Sequence, residues 1–321
     1  MARQYCMETR KDIIKSFATE LGFVKIGFSP AGPCVSESAR LLPWFGNNYN
    51  GELSWLAETL EIRLDPSKLL PGVKTILSAA INYYNVAEYP QEEGRGKISR
   101  YAWGNDYHSV VSDRLEKLFA FIKTLIPSVR GKICVDGGPV LEKYWAERSG
   151  LGWRGKHTVM ITEELGSWIF LGEILLTQEF EYDAPKVDKC GSCSLCIDAC
   201  PTRAIVAPYV LDVRKCLSYM TVEHKGKYSD DMMQDRRGWI YGCDICQEVC
   251  PWNRERARQT QVDEFLVRED IIAPHLTAVM AMTEKEFAER FRNNPVKRIQ
   301  LHRLQRNARA LTETTLNTSG K

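Results

Sequence analysis

The stretch KCGSCSLCIDACPT, residues 189–202, carries Cys190, Cys193, Cys196 and Cys200, with Pro201 directly behind the last. Soft thiolates at this density select zinc or an iron–sulfur cluster, so the spacing has to decide. A structural zinc site takes two C-x2-C knuckles set apart in sequence, or cysteine with histidine. Here the run is C-x2-C-x2-C-x3-C-P. Three close thiolates wrap one cubane, and the fourth ligates a different one. The spacing therefore favours [4Fe–4S] over zinc.

This is the run of two-cluster ferredoxins, and its fourth cysteine calls for a second cluster. CDICQEVCPWN supplies Cys243, Cys246 and Cys250, then Pro251. It is the same run with its first member missing, because Ile240 stands there; the cysteine left over in the region is Cys216. Two cubanes take four thiolates each, and residues 190–250 hold eight cysteines. The expected sets are Cys190, Cys193, Cys196 and Cys250 for the first cluster, and Cys200, Cys216, Cys243 and Cys246 for the second. With every iron ligated by cysteine, the clusters form an electron path and not a substrate site. The other three of the eleven cysteines, Cys6, Cys34 and Cys134, are scattered and read as free thiols.

What the electrons reach must lie on the elements ahead of the cysteines. A chain of 321 residues, 44% of them hydrophobic, can build more than one core. Residues 1–180 alternate helix and strand. Ile13, Phe17 and Leu21 share a helical face, and FVKIGF (23–28) reads as a strand. Residues 63–83 read as a turn-rich approach to a buried strand. Val111, Leu115, Leu118, Ile122 and Leu125 mark a helix ended by Pro127. GKICVD (131–136) reads as a strand, PVLEKYWAERSG (139–150) as a helix, and HTVMIT and SWIFLGEILLT as two more strands. Residues 181–255 are poor in periodicity and need a metal centre to hold them. Residues 256–321 read as helical, with a capping box at TEKE (283–286). The expected class is α+β: an α/β-type N-terminal domain, a ferredoxin-like module with two clusters, and a short basic helical end.

The net charge of +2 says little about partners, but it hides a basic end: Arg290–Lys321 holds eight Lys or Arg and one acid, Glu313. No apolar run is long enough to cross a membrane, and the N-terminus has no apolar signal core. A cytoplasmic monomer is the expectation. No G-x-G-x-x-G or P-loop is present.

Four stretches in consistent order resemble the epoxyqueuosine reductases: RYAWGNDYH (100–108), VDGGPVLEKYWAERSGLGWRGKHT (135–158), the cysteine run, and CLSYMTVEHKG (216–226) leading to GCDICQEVCPWN (242–253). The resemblance implies a corrinoid-binding N-terminal domain related to nitroreductase and reductive-dehalogenase scaffolds, with two [4Fe–4S] clusters packed over a cobalamin. It implies a substrate, epoxyqueuosine at the wobble position of GUN-anticodon tRNAs (Asp, Asn, His and Tyr types). It also implies an external low-potential donor, flavodoxin- or ferredoxin-like. Asp136 takes the role of proton donor to the epoxide oxygen, for which its pKa would have to be raised.

The cobalamin shell implied by the resemblance is Arg63, Ser99, Asp106, Tyr107, His108, Asp136, Ser218, Thr221 and Asp244. Val111 replaces the glycine of the D-x-H-x-x-G corrinoid motif, so His108 is not expected to ligate cobalt. Gly137 stands where the family places a small polar residue. Glu223, His224, Arg298 and Arg306 are the candidates for contact with tRNA, the last two on a basic helix face. Two rival readings remain at this level: a corrinoid-dependent reductase of a small molecule, and a non-catalytic ferredoxin-type electron carrier.

Overall fold

The computed structural model describes residues 9–229 and 236–318, with side chains through residue 312; Cys6 lies outside them. Its centre is a four-stranded sheet in the order Lys25–Pro30, Thr75–Asn82, Ile169–Leu176, Gly131–Cys134. Every ladder in it is antiparallel. The alternation of helix and strand along the chain therefore does not mean parallel βαβ units, and the class is α+β. Both central strands are covered on both faces, which is why TILSAAIN and IFLGEILL read as near-continuous apolar runs.

The helices Arg10–Glu20 and Tyr107–Leu125 cover one face. Ile14, Ala18, Val111, Leu115, Leu118 and Ile122 meet Leu77, Ile81, Ile174 and Leu176 there. The short helix Glu142–Arg148 covers the other face, with Trp145 and Val140 against Ile76, Leu175, Cys34 and Cys134. A close approach fixes this helix: a Cβ on Gly27 would lie 1.9 Å from the carbonyl oxygen of Ser149.

Several boundaries differ from expectation. The 139–150 helix begins only at Glu142, because residues 135–141 form a loop with Asp136 in left-handed backbone, φ +47°. HTVMIT contributes only the two-residue strand Met160–Ile161, paired with Trp153–Arg154. The helix Val35–Gly46, with Pro43 inside it, has no signature in the apolar spacing.

The cysteine-rich region is built of short pieces: helical turns Leu195–Asp198, Leu217–Val222 and Ile245–Glu248, and a small hairpin at Ile205–Leu211. Its strand Trp239–Tyr241 runs parallel to Lys97–Ile98. Ile240 is fully buried in this strand, among Ile98, Trp103, Leu276 and Leu304. The position that breaks the second cysteine run is thus a core position.

The C-terminal residues pack onto the same junction. Thr283 makes the expected capping box with Glu286. Leu301, Leu304, Ala308 and Leu311 are buried as their spacing predicts, but the helix starts only at Leu301, after Gln300 at φ +64°.

Candidate functional site

The eight clustered cysteines fall into two groups in space. Cys190, Cys193, Cys196 and Cys250 line one cavity of about 270 Å³, although Cys250 is far from the others in sequence. Burial pushes the Cys196 thiol up to about 11, and Cys190, Cys250 and Cys193 lie close enough to add to the effect. In the second group Cys246 is raised by burial, then by Cys216 and Cys200; Cys243 is raised by burial, then by Cys246 and Cys216. Cys196 also acts on Cys246, so the groups are neighbours. Among the described residues no three His, Cys, Asp or Glu converge as ligands of a single ion do. The first group instead surrounds a space.

Two buried donors lie beside that group. Trp153 Nε1 faces the Cys190 thiol and makes no regular hydrogen bond. His157 lines the cavity, and its Nδ1 accepts from the Val159 amide at 3.1 Å, which puts the ring proton on Nε2; that nitrogen is unpartnered as well. Burial, then Lys143, lowers His157 to about 4, so it is neutral. Buried donors without acceptors are uncommon and call for a partner beyond the chain itself. A sulfur-rich cluster is the acceptor that suits both.

Asp136 sits just past the end of the strand Gly131–Cys134. Its Oδ2 accepts from Tyr107 Oη and lies 3.0 Å from His108 Nε2, while His108 Nδ1 is 2.7 Å from Asp106 Oδ1. Asp106 also caps the helix Tyr107–Leu125 through the His108 amide, which aims His108 between the two carboxylates. Burial alone would lower His108, but hydrogen bonds to Asp106 and Asp136 outweigh it and hold the imidazolium at about 9. Burial favours protonated Asp136, yet the contacts from His108 and Tyr107 win and its pKa is lowered. The expectation of a raised Asp136 is corrected here: the available proton rests on His108.

Two acids absent from the sequence reading lie behind Asp136. Glu142 Oε1 accepts from the Asp136 amide at 2.5 Å, and Glu142 neighbours Glu173, which is fully buried on a central strand. Glu173 was legible as the lone acid in an otherwise apolar strand; Glu142 had no signal beyond its helix. Arg63 is buried against them, donating to Val140 O at 3.1 Å and stacking on Trp55, with Glu142, Asp136 and Cys134 in electrostatic range.

Lys143 lies near enough to feel both Asp136 and Cys246 of the second thiol group. The Asp136 side chain is 54% accessible to solvent, yet burial by the surrounding elements is the largest influence on its pKa. The remaining cofactor candidates divide. Ser218 is half-buried with a free face. Ser99, Thr221 and Asp244 are buried and internally paired: Asp244 accepts from Ser99 Oγ, the Arg100 amide at 2.8 Å and Tyr89 Oη at 3.0 Å, and Thr221 Oγ1 accepts from the Gly242 amide at 2.9 Å. Their side-chain polar atoms are thus spent on partners within the protein.

The RNA candidates divide as well. Arg298 is ion-paired with Glu223, half-exposed, and close enough to influence Asp106 and Asp136, so it stands beside the Asp136 set. His224 pairs with Glu52 at 2.8 Å. Arg306 is turned inward: it donates to the carbonyls of His224 and Gly226 and to Tyr228 Oη, and it lies over the Tyr228 ring. The expected exposed basic face is therefore a clamp on the 220–228 loop at this position.

The family model described as "Epoxyqueuosine reductase QueG, DUF1730" matches residues 63–137, and that of a 4Fe-4S double cluster binding domain matches residues 189–253. An epoxyqueuosine reductase of Cellulophaga algicola is 41% identical, covering 94% of this chain and 97% of that protein. One of Shigella dysenteriae is 38% identical over 92% of this chain and 78% of its own length. Among solved structures, an epoxyqueuosine reductase with an epoxyqueuosine-modified tRNA-Tyr stem loop matches with TM-score 0.88 at 33% identity, covering 94% of this chain and 80% of that one. The Bacillus subtilis enzyme with its catalytic aspartate loop swung out of the active site matches with TM-score 0.86 at 32% identity, with the same two coverages, 94% and 80%.

Proposed function

The chain belongs to the epoxyqueuosine reductase family of oxidoreductases, and on that premise we propose that it removes the epoxide oxygen of epoxyqueuosine at the wobble position of GUN-anticodon tRNAs. Two [4Fe–4S] clusters and a cobalamin would supply the electrons of the reduction, drawn from an external low-potential donor, and Asp136 faces the epoxide oxygen. The observation that carries the reading is the hydrogen-bonded set of Asp136, His108 and Tyr107, with Lys143 in electrostatic range of both Asp136 and Cys246 of the second thiol group.

These groups suit a corrinoid: polar side chains gather around Asp136, and Lys143 is in electrostatic range of a thiol of the second group. Arg63, Tyr107, His108, Asp136 and Ser218 would hold the group, while Ser99, Thr221 and Asp244 are paired within the protein. Reduced cobalamin supplies a strong nucleophile and reductant for the epoxide carbon. The first cluster would be held by Cys190, Cys193, Cys196 and Cys250, and the second by Cys200, Cys216, Cys243 and Cys246. The functional division is residues 1–180 for cofactor and substrate, 181–255 for the clusters, and 256–321 as a helical support.

The chain's own residues manage the proton. When substrate covers Asp136, water leaves and an ion pair between Asp136 and His108 loses solvent support, so the shared proton moves readily to the nascent alkoxide. Asp106 holds His108 in orientation while this happens. Arg298 and Glu223, beside the Asp136 set, meet the RNA backbone, in keeping with a relative bound to a tRNA stem loop.

The test offers the anaerobically reconstituted protein an epoxyqueuosine-bearing anticodon stem loop, a free small epoxide and an aryl halide. Turnover of the stem loop alone is expected. Turnover of the halide alone would favour a small-molecule reductase, and cluster reduction without any turnover would favour an electron carrier.

A further inference from the structure

The hairpin at residues 153–161 takes no part in the chemistry around Asp136. Its strands Trp153–Arg154 and Met160–Ile161 pair, and a tight turn joins them: the Thr158 amide donates to Gly155 O at 2.8 Å and the Gly155 amide to Val159 O at 2.9 Å. Gly155 leaves room for an imidazole, because a Cβ there would lie 2.8 Å from His157 Cε1. Lys156 reaches the cysteine run, where its Nζ donates to Gly191 O at 2.6 Å and Cys193 O at 2.8 Å. The hairpin is thereby pinned to the loop that carries Cys190 and Cys193.

Two ring N–H groups of this hairpin lack an acceptor. Trp153 and His157 are each 3% exposed. Trp153 packs in one cluster with Cys250, Cys190 and Trp252, and meets the Trp252 ring edge-on at 4.9 Å. Its Nε1 makes no regular hydrogen bond. The Val159 amide occupies His157 Nδ1 at 3.1 Å, so the ring proton is on Nε2, which has no acceptor. His157 shares its cavity with all four cysteines of the first group. Two donors buried on one short hairpin are costly to leave open, unless their acceptors arrive with the cluster.

Resting on the assignment of two clusters, we infer that Trp153 donates its indole N–H to the Cys190 thiolate and His157 its Nε2–H to another sulfur of the same cluster, and that these bonds raise the reduction potential of the first cluster selectively. Reduction adds one electron, supplied by the low-potential donor, and places more negative charge on the sulfurs; no covalent bond breaks and no proton is exchanged. An N–H group aimed at those sulfurs stabilises the reduced state more than the oxidised one. The hairpin thus decides how readily the first cluster takes an electron from a donor of given potential. The second group has a wall of its own. Trp239, whose Nε1 is also unpartnered, packs with Cys216 and Cys243 there, and the Asp244 carboxyl acts on Cys243 and Cys246.

The experiment is a dithionite titration of the cluster-loaded protein, without cobalamin or RNA, followed by electron paramagnetic resonance. The first cluster's signal is the one that Cys250→Ser removes. Trp153→Phe and His157→Phe keep a ring and remove the donor. Each is expected to lower the reduced-to-oxidised ratio of that signal about tenfold at a fixed potential, ~59 mV for one electron, and to leave the other signal in place. His157→Gln, whose amide can accept from Val159 and donate onward, is expected to keep most of the wild-type ratio. A second arm needs no variant to fold: wild type labelled with nitrogen-15 in tryptophan, and in a separate sample in histidine, should show nitrogen couplings to the reduced first cluster by pulsed resonance. Absence of those couplings overturns the inference, as does a first-cluster potential unchanged in both Phe variants or a shift shared by both clusters. About eight irons per chain without the couplings overturns this inference alone. A wild-type chain that cannot hold two clusters overturns the cluster assignment, and the inference with it.

Discussion

His108 shows how much of the chemistry is set by one side chain. It lies 3.0 Å from Asp136 and 2.7 Å from Asp106, and it is held at about 9 against an ordinary 6.5. A value raised on folding stabilises the fold fully below the unfolded value and loses that contribution as pH rises through the folded one. The melting temperature of His108→Gln should therefore fall below wild type at ~pH 6 and converge with it above ~pH 9, a window measured by thermal unfolding across pH. The effect will be modest, since the ring is 36% exposed and its pairs are screened. The cysteines and Asp136 were legible as residues because local spacing and a quoted motif carry them. The His108–Asp136 contact joins positions 28 apart through a strand end and a helix cap, which no periodicity encodes. It also reversed the direction expected for Asp136.

The helix Glu142–Arg148 is seated against the strand Lys25–Pro30. The helix carries Glu142 and Lys143 at its start, and its far end is seated where Ser149 O meets the backbone of Gly27. A methyl group there has backbone, not a flexible side chain, to push against. Gly27→Ala should cost about 1–3 kcal/mol in chemical denaturation and lower turnover together with stability, because the helix must shift. An equal denaturation midpoint for wild type and Gly27→Ala would show that the contact yields freely. At this scale the strands and the long helix 107–125 were readable from apolar spacing. The loop 135–141 was not: Pro139 suggested a helix start, whereas the left-handed backbone at Asp136 and the Glu142 contact delay it to Glu142.

Across the whole molecule, the cysteine region is tied to the first domain by the parallel pair Trp239–Tyr241 with Lys97–Ile98, and the C-terminal helix closes over that junction. Arg306, which the basic periodicity alone suggested would face RNA, serves this closure together with Arg303 by capping carbonyls of the 220–228 loop. The crossed cysteine sets make a sharp prediction. Cys200→Ser should disturb the cluster held by Cys216, Cys243 and Cys246, and Cys250→Ser the one held by Cys190, Cys193 and Cys196, each leaving about half of the iron in place. Electron paramagnetic resonance of the two variants should lose different signals. Loss of the same signal in both would mean that the sets are not crossed. Among the described residues no helix is long and apolar enough to cross a membrane.

The measurement that bears most directly on the account is mass analysis of the wobble nucleoside after anaerobic incubation of tRNA carrying epoxyqueuosine with cluster-loaded protein, cobalamin and a low-potential reductant. The account predicts loss of one oxygen from the nucleoside, dependent on cobalamin, and a rate lowered about 100-fold or more in Asp136→Asn with both clusters retained. Retention of the oxygen by wild type with clusters and cobalamin bound, or an Asp136→Asn variant as fast as wild type, would contradict it.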